Sequence, residues 1–253
     1  METHFFVISL KSSLLYRKGV FISFFGAFVF IAVNLTLWHA LFRDDPGAYA
    51  YMTRYTVISN VIAMLYPRKI AESIGKKIAT GEFAEVIARP VNFFAVSWMI
   101  ELADVCSRFM LRGVPVILVF LPFLFSSAYF NIGHFMLSVF MAHVLSILMY
   151  SLIGFGVFIV ADVWPLRRML DDTIRLFAGA FVPLALLPDA MGKVAYALPF
   201  RFLYSFPLET LLAPAGSARI AGGYVMMCLW IALFAAANIL VCRLAFKRTA
   251  LQW

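Results

Sequence analysis

The sequence predicts an all-α integral membrane fold with six transmembrane helices, forming a single transmembrane domain over residues 1–253. Three observations predict it. Of the 253 residues, 64% are hydrophobic and only 13% are charged, and the mean hydropathy of +0.92 is far above that of a domain needing a polar shell. The apolar residues fall in long runs whose polar separators are too short to hold a soluble domain. The runs lack the ten-residue alternation of a barrel, and lipid, which gives backbone groups no water to bond, otherwise admits only helices.

Taken in order, residues 1–19 place Phe6, Leu10 and Leu14 at helical spacing, with Lys11, Arg17 and Lys18 free to meet lipid headgroups. That pattern suits an interfacial helix. It lacks the basic start, short apolar core and small-residue cleavage site of a secretory signal. Residues 20–42 carry no formal charge and, at about 1.5 Å per residue, can cross a core of about 30 Å. A polar turn at 43–47 reverses the chain into a second span at 48–66, where Arg54 lies near enough to one end to reach the interface.

Residues 68–92 are polar, with Glu72, Lys76, Lys77, Glu82 and Glu85 around a break at Gly81. After Pro90, the charges Glu101, Asp104, Arg108 and Arg112 recur every three or four residues and share one helix face. At the bilayer centre each would cost about 2.5–3.5 kcal/mol. Residues 91–113 are therefore expected to lie at the interface or to pack against protein, with the third crossing at 114–130, kinked by Pro115 and Pro122.

Asn131 and Gly133 mark a turn into a charge-free fourth span at 135–160. The stretch 161–175 reads as a charged helical turn at the cytoplasmic surface, with the pairs Arg167–Asp171, Arg168–Asp172 and Asp171–Arg175 at four-residue spacing. A fifth span at 174–187 is short unless that turn extends it. Residues 188–220, amphipathic and broken by prolines, suit two short re-entrant helices in the outer leaflet, and the last span covers 222–246.

Six crossings put both termini on one side. All but five of the 21 Lys and Arg residues fall on that side, the exceptions being Arg43, Arg54, Lys193, Arg201 and Arg219, so the termini and the 68–92 loop are expected in the cytoplasm of a cell with an inner or cytoplasmic membrane. The formal charge of +8 is spread over span ends rather than gathered on a basic face, so nucleic acid is not indicated. Cys106, Cys228 and Cys242 have no CxxC spacing, and the four histidines have no metal-ligand spacing. There is no GxxxxGK[ST] loop and no nucleophile elbow, so the chain reads as a non-enzyme that binds no ATP or other cofactor itself. A secondary transporter would be expected to show internal repeats and a midplane acidic site, and neither is visible.

The loop "KKIATGEFAEVIARPVNFF" resembles the loop after the second span in permease subunits of ABC-2 type exporters. The stretch "FAGAFVPLALLPDAMGKVAYALPFRFLYSFPLETLL" is similar to that family's fifth span and outer re-entrant helices. The resemblance extends over nearly the whole chain. It implies a six-span half that pairs with a second permease, identical or paralogous, and with separate cytosolic ATPase subunits that hold ATP and Mg. It also implies that residues 81–88, with Arg89 following, form the coupling helix. There Phe83, Val86 and Ile87 would anchor in a groove of the ATPase, while Glu82 and Glu85 set the register and Gly81 breaks the preceding helix.

By the same resemblance the substrate path runs along the first, second and fifth spans. It nominates Tyr55, Ser59, Asn60, Phe177, Phe181 and Leu184, a set suited to an amphipathic or lipophilic cargo, although ordinary core packing would also use these residues. The other readings left open are an ion-gradient-driven transporter and a membrane anchor whose loop recruits a cytosolic protein.

Overall fold

A computed structural model describes residues 17–67, 69–82, 93–124, 131–160, 162–212 and 218–250. The interfacial helix expected before residue 17 and most of the coupling segment, from Phe83 to Arg89, lie outside the described residues. Among the described residues all regular structure is helical.

Helix α1 (Arg17–Leu41) and helix α2 (Pro46–Met64) form an antiparallel pair. The turn between them is set by Asp45, whose side chain accepts from the Ala48 N–H at 2.9 Å, with Pro46 in the first turn of α2; both are favoured helix starts. On α1, Val29, Val33, Leu37 and Leu41 are exposed while Ile31 and Trp38 are buried. Trp38 Nε1 donates to Thr56 Oγ1 at 2.9 Å. Asn34 and Thr36, polar groups on the carboxyl-terminal half of α1, bond to the helix's own carbonyls of Phe30 and Val33, which is what an apolar surrounding demands. Helix α2 is buried nearly all round, the mark of a central helix.

After α2 the chain turns into α3 (Ile70–Ala79), which buries Ile70, Ala71, Ile74 and Gly75. The next element differs from the expected interfacial segment followed by a crossing at 114. Helix α4 (Phe93–Arg108) runs through a π-helical turn (Phe109–Gly113) into α5 (Val114–Leu124), giving one apolar helix over Val96–Leu124. Pro115 accounts for the π turn: it lacks an N–H, and its ring crowds the carbonyl one turn back, so the preceding turn widens. The charges of α4 can sit in this long helix because they pack against protein, one of the two options expected.

Helix α6 (Ile132–Phe155) ends in a 3-10 turn (Gly156–Phe158) and buries a stripe at helical spacing from Ser138 to Phe155. Its last turns meet α3 at very close range. A Cβ on Gly154 would stand 2.8 Å from Ile74 Cβ and 2.9 Å from the Ala71 carbonyl oxygen. Helix α7 (Trp164–Phe177) comes next and is strongly amphipathic, with Ile174 buried.

The continuous fifth crossing expected at 174–187 is absent from this chain's described residues. Helix α7 stops at Phe177, Gly179 adopts a left-handed φ of 75°, and a 3-10 turn at Leu184–Leu186 is framed by Pro183 and Pro188. Gly179 and the two prolines interrupt the hydrogen-bond ladder that the apolar composition alone would support. Two short helices come after it, α8 (Asp189–Ala197) and, beyond a 3-10 turn at Pro199–Phe202, α9 (Ser205–Leu212).

Helix α9 is buried deeply: Thr210 meets Ser138 of α6 at 3.0 Å, and the Phe206 ring lies where a Cβ on Gly223 would be. Gly223 belongs to the last helix, α10 (Ala218–Ala250), which is held to α6 by Asn238 Nδ2 donating to the Leu148 carbonyl at 2.9 Å.

Three helices, Val96–Leu124, Ile132–Phe158 and Ile220–Leu244, are long and apolar enough to cross a membrane, and Phe25–Leu41 is a shorter apolar helix. The chain thus has the build of a membrane-embedded helical protein. Gly154→Ala is expected to lower stability by about 1–3 kcal/mol, because the facing atoms include backbone that cannot yield without moving α3. A thermal unfolding midpoint in detergent equal to that of the parent would contradict the packing described.

Candidate functional site

Two neighbouring features converge on the carboxyl end of α2. The first is a buried polar cluster. Helix termini leave carbonyls without partners, and at this end His143 of α6 donates from Nδ1 to the Leu65 carbonyl at 2.7 Å while Arg108 of α4 donates to the Tyr66 carbonyl at 3.0 Å. Cations at a helix C-terminus also suit its dipole.

Arg108 is 7% exposed, beside Asp104 at 8% and Glu101 at 3%. Its Nε is 2.9 Å from Asp104 and its Nη2 is 3.7 Å from Glu101. Lys69 completes the cluster, donating its backbone N–H to Glu101 at 3.3 Å and placing Nζ 2.6 Å from Asp104. The four-residue spacing of Asp104 and Arg108, legible in the sequence, brings these groups onto one face; Lys69 and Tyr66 supply the partners that let the face be buried.

The second feature is a cavity of about 410 Å³. Ser59, Asn60, Ala63 and Tyr66 of α2 and its exit form one side, and Ser146 and Tyr150 of α6 another. Phe30 of α1 and Phe181 close an apolar end with ring centroids 5.6 Å apart. Further wall comes from α7, through Arg167, Arg168, Asp171 and Arg175, and from Ala180, Leu203 and Tyr204.

The broken segment 178–183 lines this cavity and is held by α2. Tyr55 donates to the Gly179 carbonyl and Ser59 to the Ala180 carbonyl, each at 2.5 Å, and Ser205 N–H donates to the Ala178 carbonyl at 3.0 Å. Buried backbone outside a helix needs such donors. Tyr66 adds a further anchor, donating its hydroxyl to the Leu203 carbonyl and meeting Tyr204 edge to face at 5.3 Å.

Of the six nominated path residues, Ser59, Asn60 and Phe181 line the cavity. Tyr55 and Leu184 are buried behind the wall, and Phe177 ends α7 outside the lining. Of the coupling set, Gly81 and Glu82 are described. Gly81 ends α3 with φ 77°, its N–H bonding the Ile78 carbonyl at 3.2 Å, as a glycine just past a helix end does. Beside it, burial pushes the Lys77 ammonium down from its ordinary range, with Glu82 opposing.

The α7 residues of the wall, together with Tyr66, Tyr150 and Tyr204, were not singled out as site residues from sequence. The expected Arg168–Asp172 pair is present at 3.5 Å. Asp171, however, accepts from the Tyr150 hydroxyl at 2.5 Å, Arg167 reaches Glu72 of α3 at 3.3 Å, and Arg175 meets Asp172 at 3.2 Å. The three- and four-residue steps Arg168, Asp171, Arg175 mark one face of α7, a signal that that face meets something.

Among the described residues no cluster of His, Cys, Asp or Glu could hold a metal ion, and the three cysteines are free thiols. No known family model matches this chain, and no curated protein matches it.

Arg108→Met, which leaves two buried carboxylates without that guanidinium, is expected to cost about 3–5 kcal/mol. The triple variant Arg108→Met with Glu101→Gln and Asp104→Asn should recover most of the loss in a denaturation midpoint. Equal stability of the single variant and the parent would refute the cluster. Tyr55→Phe removes the donor for a buried carbonyl and should cost about 1–3 kcal/mol; amide exchange in 179–183 should speed up, and unchanged exchange would mean that the segment is held by something else.

Proposed function

We propose that the chain is the permease subunit of an ATP-driven exporter of the ABC-2 type, moving an amphipathic or lipophilic substrate out of the cytoplasm or the inner leaflet. In this reading α1, α2 and the three long helices cross the membrane, and the remaining passage is the broken one through α7 and 178–187. The termini and α3 face the cytoplasm. The chain pairs with a second permease, identical or paralogous, and cytosolic ATPase subunits supply ATP hydrolysis.

The observation that carries the reading is the continuity between the loop and the cavity. Helix α3, which leads into the coupling segment, is seated on the end of α6 through Gly154, on α4 through the Lys69 contacts and on α7 through Glu72 and Arg167. Helices α6 and α7 are cavity walls. A push on residues 81–89 by a closing ATPase would therefore reach the walls through the close packing of α3 on α6 and the Glu72–Arg167 pair, and α2 would shift against the broken segment at the Tyr55 and Ser59 hydrogen bonds. The small contact area of such a helix suits a partner that cycles rather than one bound permanently.

The test is affinity purification of the tagged full chain from its native membrane. A cytosolic-type ATPase should accompany the parent, its hydrolysis should be stimulated by the permease, and Phe83→Asp should remove it while the chain still reaches the membrane. Recovery of the parent chain without any ATPase, or of the Phe83→Asp variant with a full complement, would overturn the reading.

A further inference from the structure

The lining of the cavity is divided by chemistry. At one end the guanidiniums of Arg167, Arg168 and Arg175 stand with a single wall carboxylate, Asp171, and that carboxylate already accepts from Tyr150. Two further carboxylates, outside the lining, pair with these arginines. Glu72 faces Arg167, and Asp172 alone is shared by Arg168 and Arg175. The Arg168 and Arg175 side chains are 53% and 50% exposed and Asp172 is 55% exposed, so these ion pairs are weak and exchange readily for a better partner. A planar guanidinium matches phosphate or carboxylate oxygens two at a time.

At the other end the surface is apolar: Phe30, Ala63 and Phe181. Phe30 and Phe181 are also partly exposed, on the side where α1 presents Val29, Val33 and Leu37 outward. The apolar end therefore opens toward the space that lipid would fill. Ser59, Ser146 and Tyr204 also line the cavity, the Ser59 and Ser146 hydroxyls already donating to the Ala180 and His143 carbonyls, and the volume is within the range of small-molecule sites.

From this division we infer that the cavity binds an amphiphile with an anionic head, a phosphate or carboxylate, held by Arg168 and Arg175, and an apolar tail leaving between Phe30 and Phe181. A cationic head would find one wall carboxylate, Asp171, against three guanidiniums, and a neutral head would accept from the guanidiniums without the ion-pair attraction. As the substrate class of an exporter, this rests on the reading above; as a binding site, it requires no ATPase.

The test is equilibrium binding of radiolabelled dodecyl phosphate to the full chain in phosphatidylcholine nanodiscs. Saturable binding is expected, displaced by dodecanoate but not by dodecyltrimethylammonium or inorganic phosphate. The double variant Arg168→Gln and Arg175→Gln should weaken binding by about tenfold or more, the loss expected for one charge-assisted hydrogen-bond set. Phe181→Ala should weaken dodecyl phosphate more than a shorter-chain alkyl phosphate.

All three side chains are exposed, so their loss leaves the core intact, which an unchanged unfolding midpoint checks. Displacement by the trimethylammonium amphiphile would overturn the inference. So would equal displacement by inorganic phosphate, which would mark a soluble-anion site, or an unchanged affinity of the double variant. Binding as described with no ATPase recovered from the membrane would remove the exporter reading and leave the site.

Discussion

A helix that ends among apolar neighbours leaves carbonyl oxygens that water cannot reach, and α2 ends that way. Its Leu65 and Tyr66 carbonyls are met by His143 and Arg108, side chains from two other helices. Arg108 could not be buried there alone, and Asp104 and Glu101 accompany it. Those carboxylates in turn hold Lys69, the residue from which α3 starts. One unsatisfied helix end thus organises four elements, because each group brought in to satisfy it has to be satisfied itself. Such a cluster adds little net stability over an apolar core, but it fixes which elements meet and in what register.

The same helix supports the opposite side of the cavity. Tyr55 and Ser59 stand one turn apart on α2 and bond successive carbonyls, Gly179 and Ala180, in a segment that has given up helical bonding. That segment is not a helix, and its Ala180 and Phe181 line the cavity. Its walls are then of two kinds. The α2 and α6 side is largely helical, whereas 178–183 is irregular backbone held by hydrogen bonds from Tyr55, Ser59 and Ser205 and by close packing around Gly179.

Much of this was legible in the sequence, and the failures have physical causes. The class of protein follows from composition, and the long helices at 132–158 and 220–244 from uninterrupted apolar runs. The shared face of Glu101, Asp104 and Arg108 could be read from spacing, but its burial depends on Tyr66 and Lys69, some forty residues earlier in the chain. Residues 174–187 are apolar enough to suggest a crossing. The donors that make a broken path tolerable are hydroxyls on α2, and no local pattern announces them. Asp171 looked satisfied by arginines on its own helix, and only the fold brings Tyr150 to it. Of the nominated path, Ser59, Asn60 and Phe181 meet at the cavity because α2 and the 178–183 segment touch there, while the arginines opposite them looked like an ordinary solvated turn.

The proposed coupling runs from the segment after α3 through the seats of α3 on α6 and α7, and it requires that segment to lie on the side from which a cytosolic motor can reach it. A single cysteine at Glu82, in a chain whose three native cysteines are replaced, can be probed with a membrane-impermeant maleimide. Labelling only after the membranes are opened or inverted is the expected result. Rapid labelling in intact cells would place α3 and the segment after it outside, and would contradict the proposed coupling.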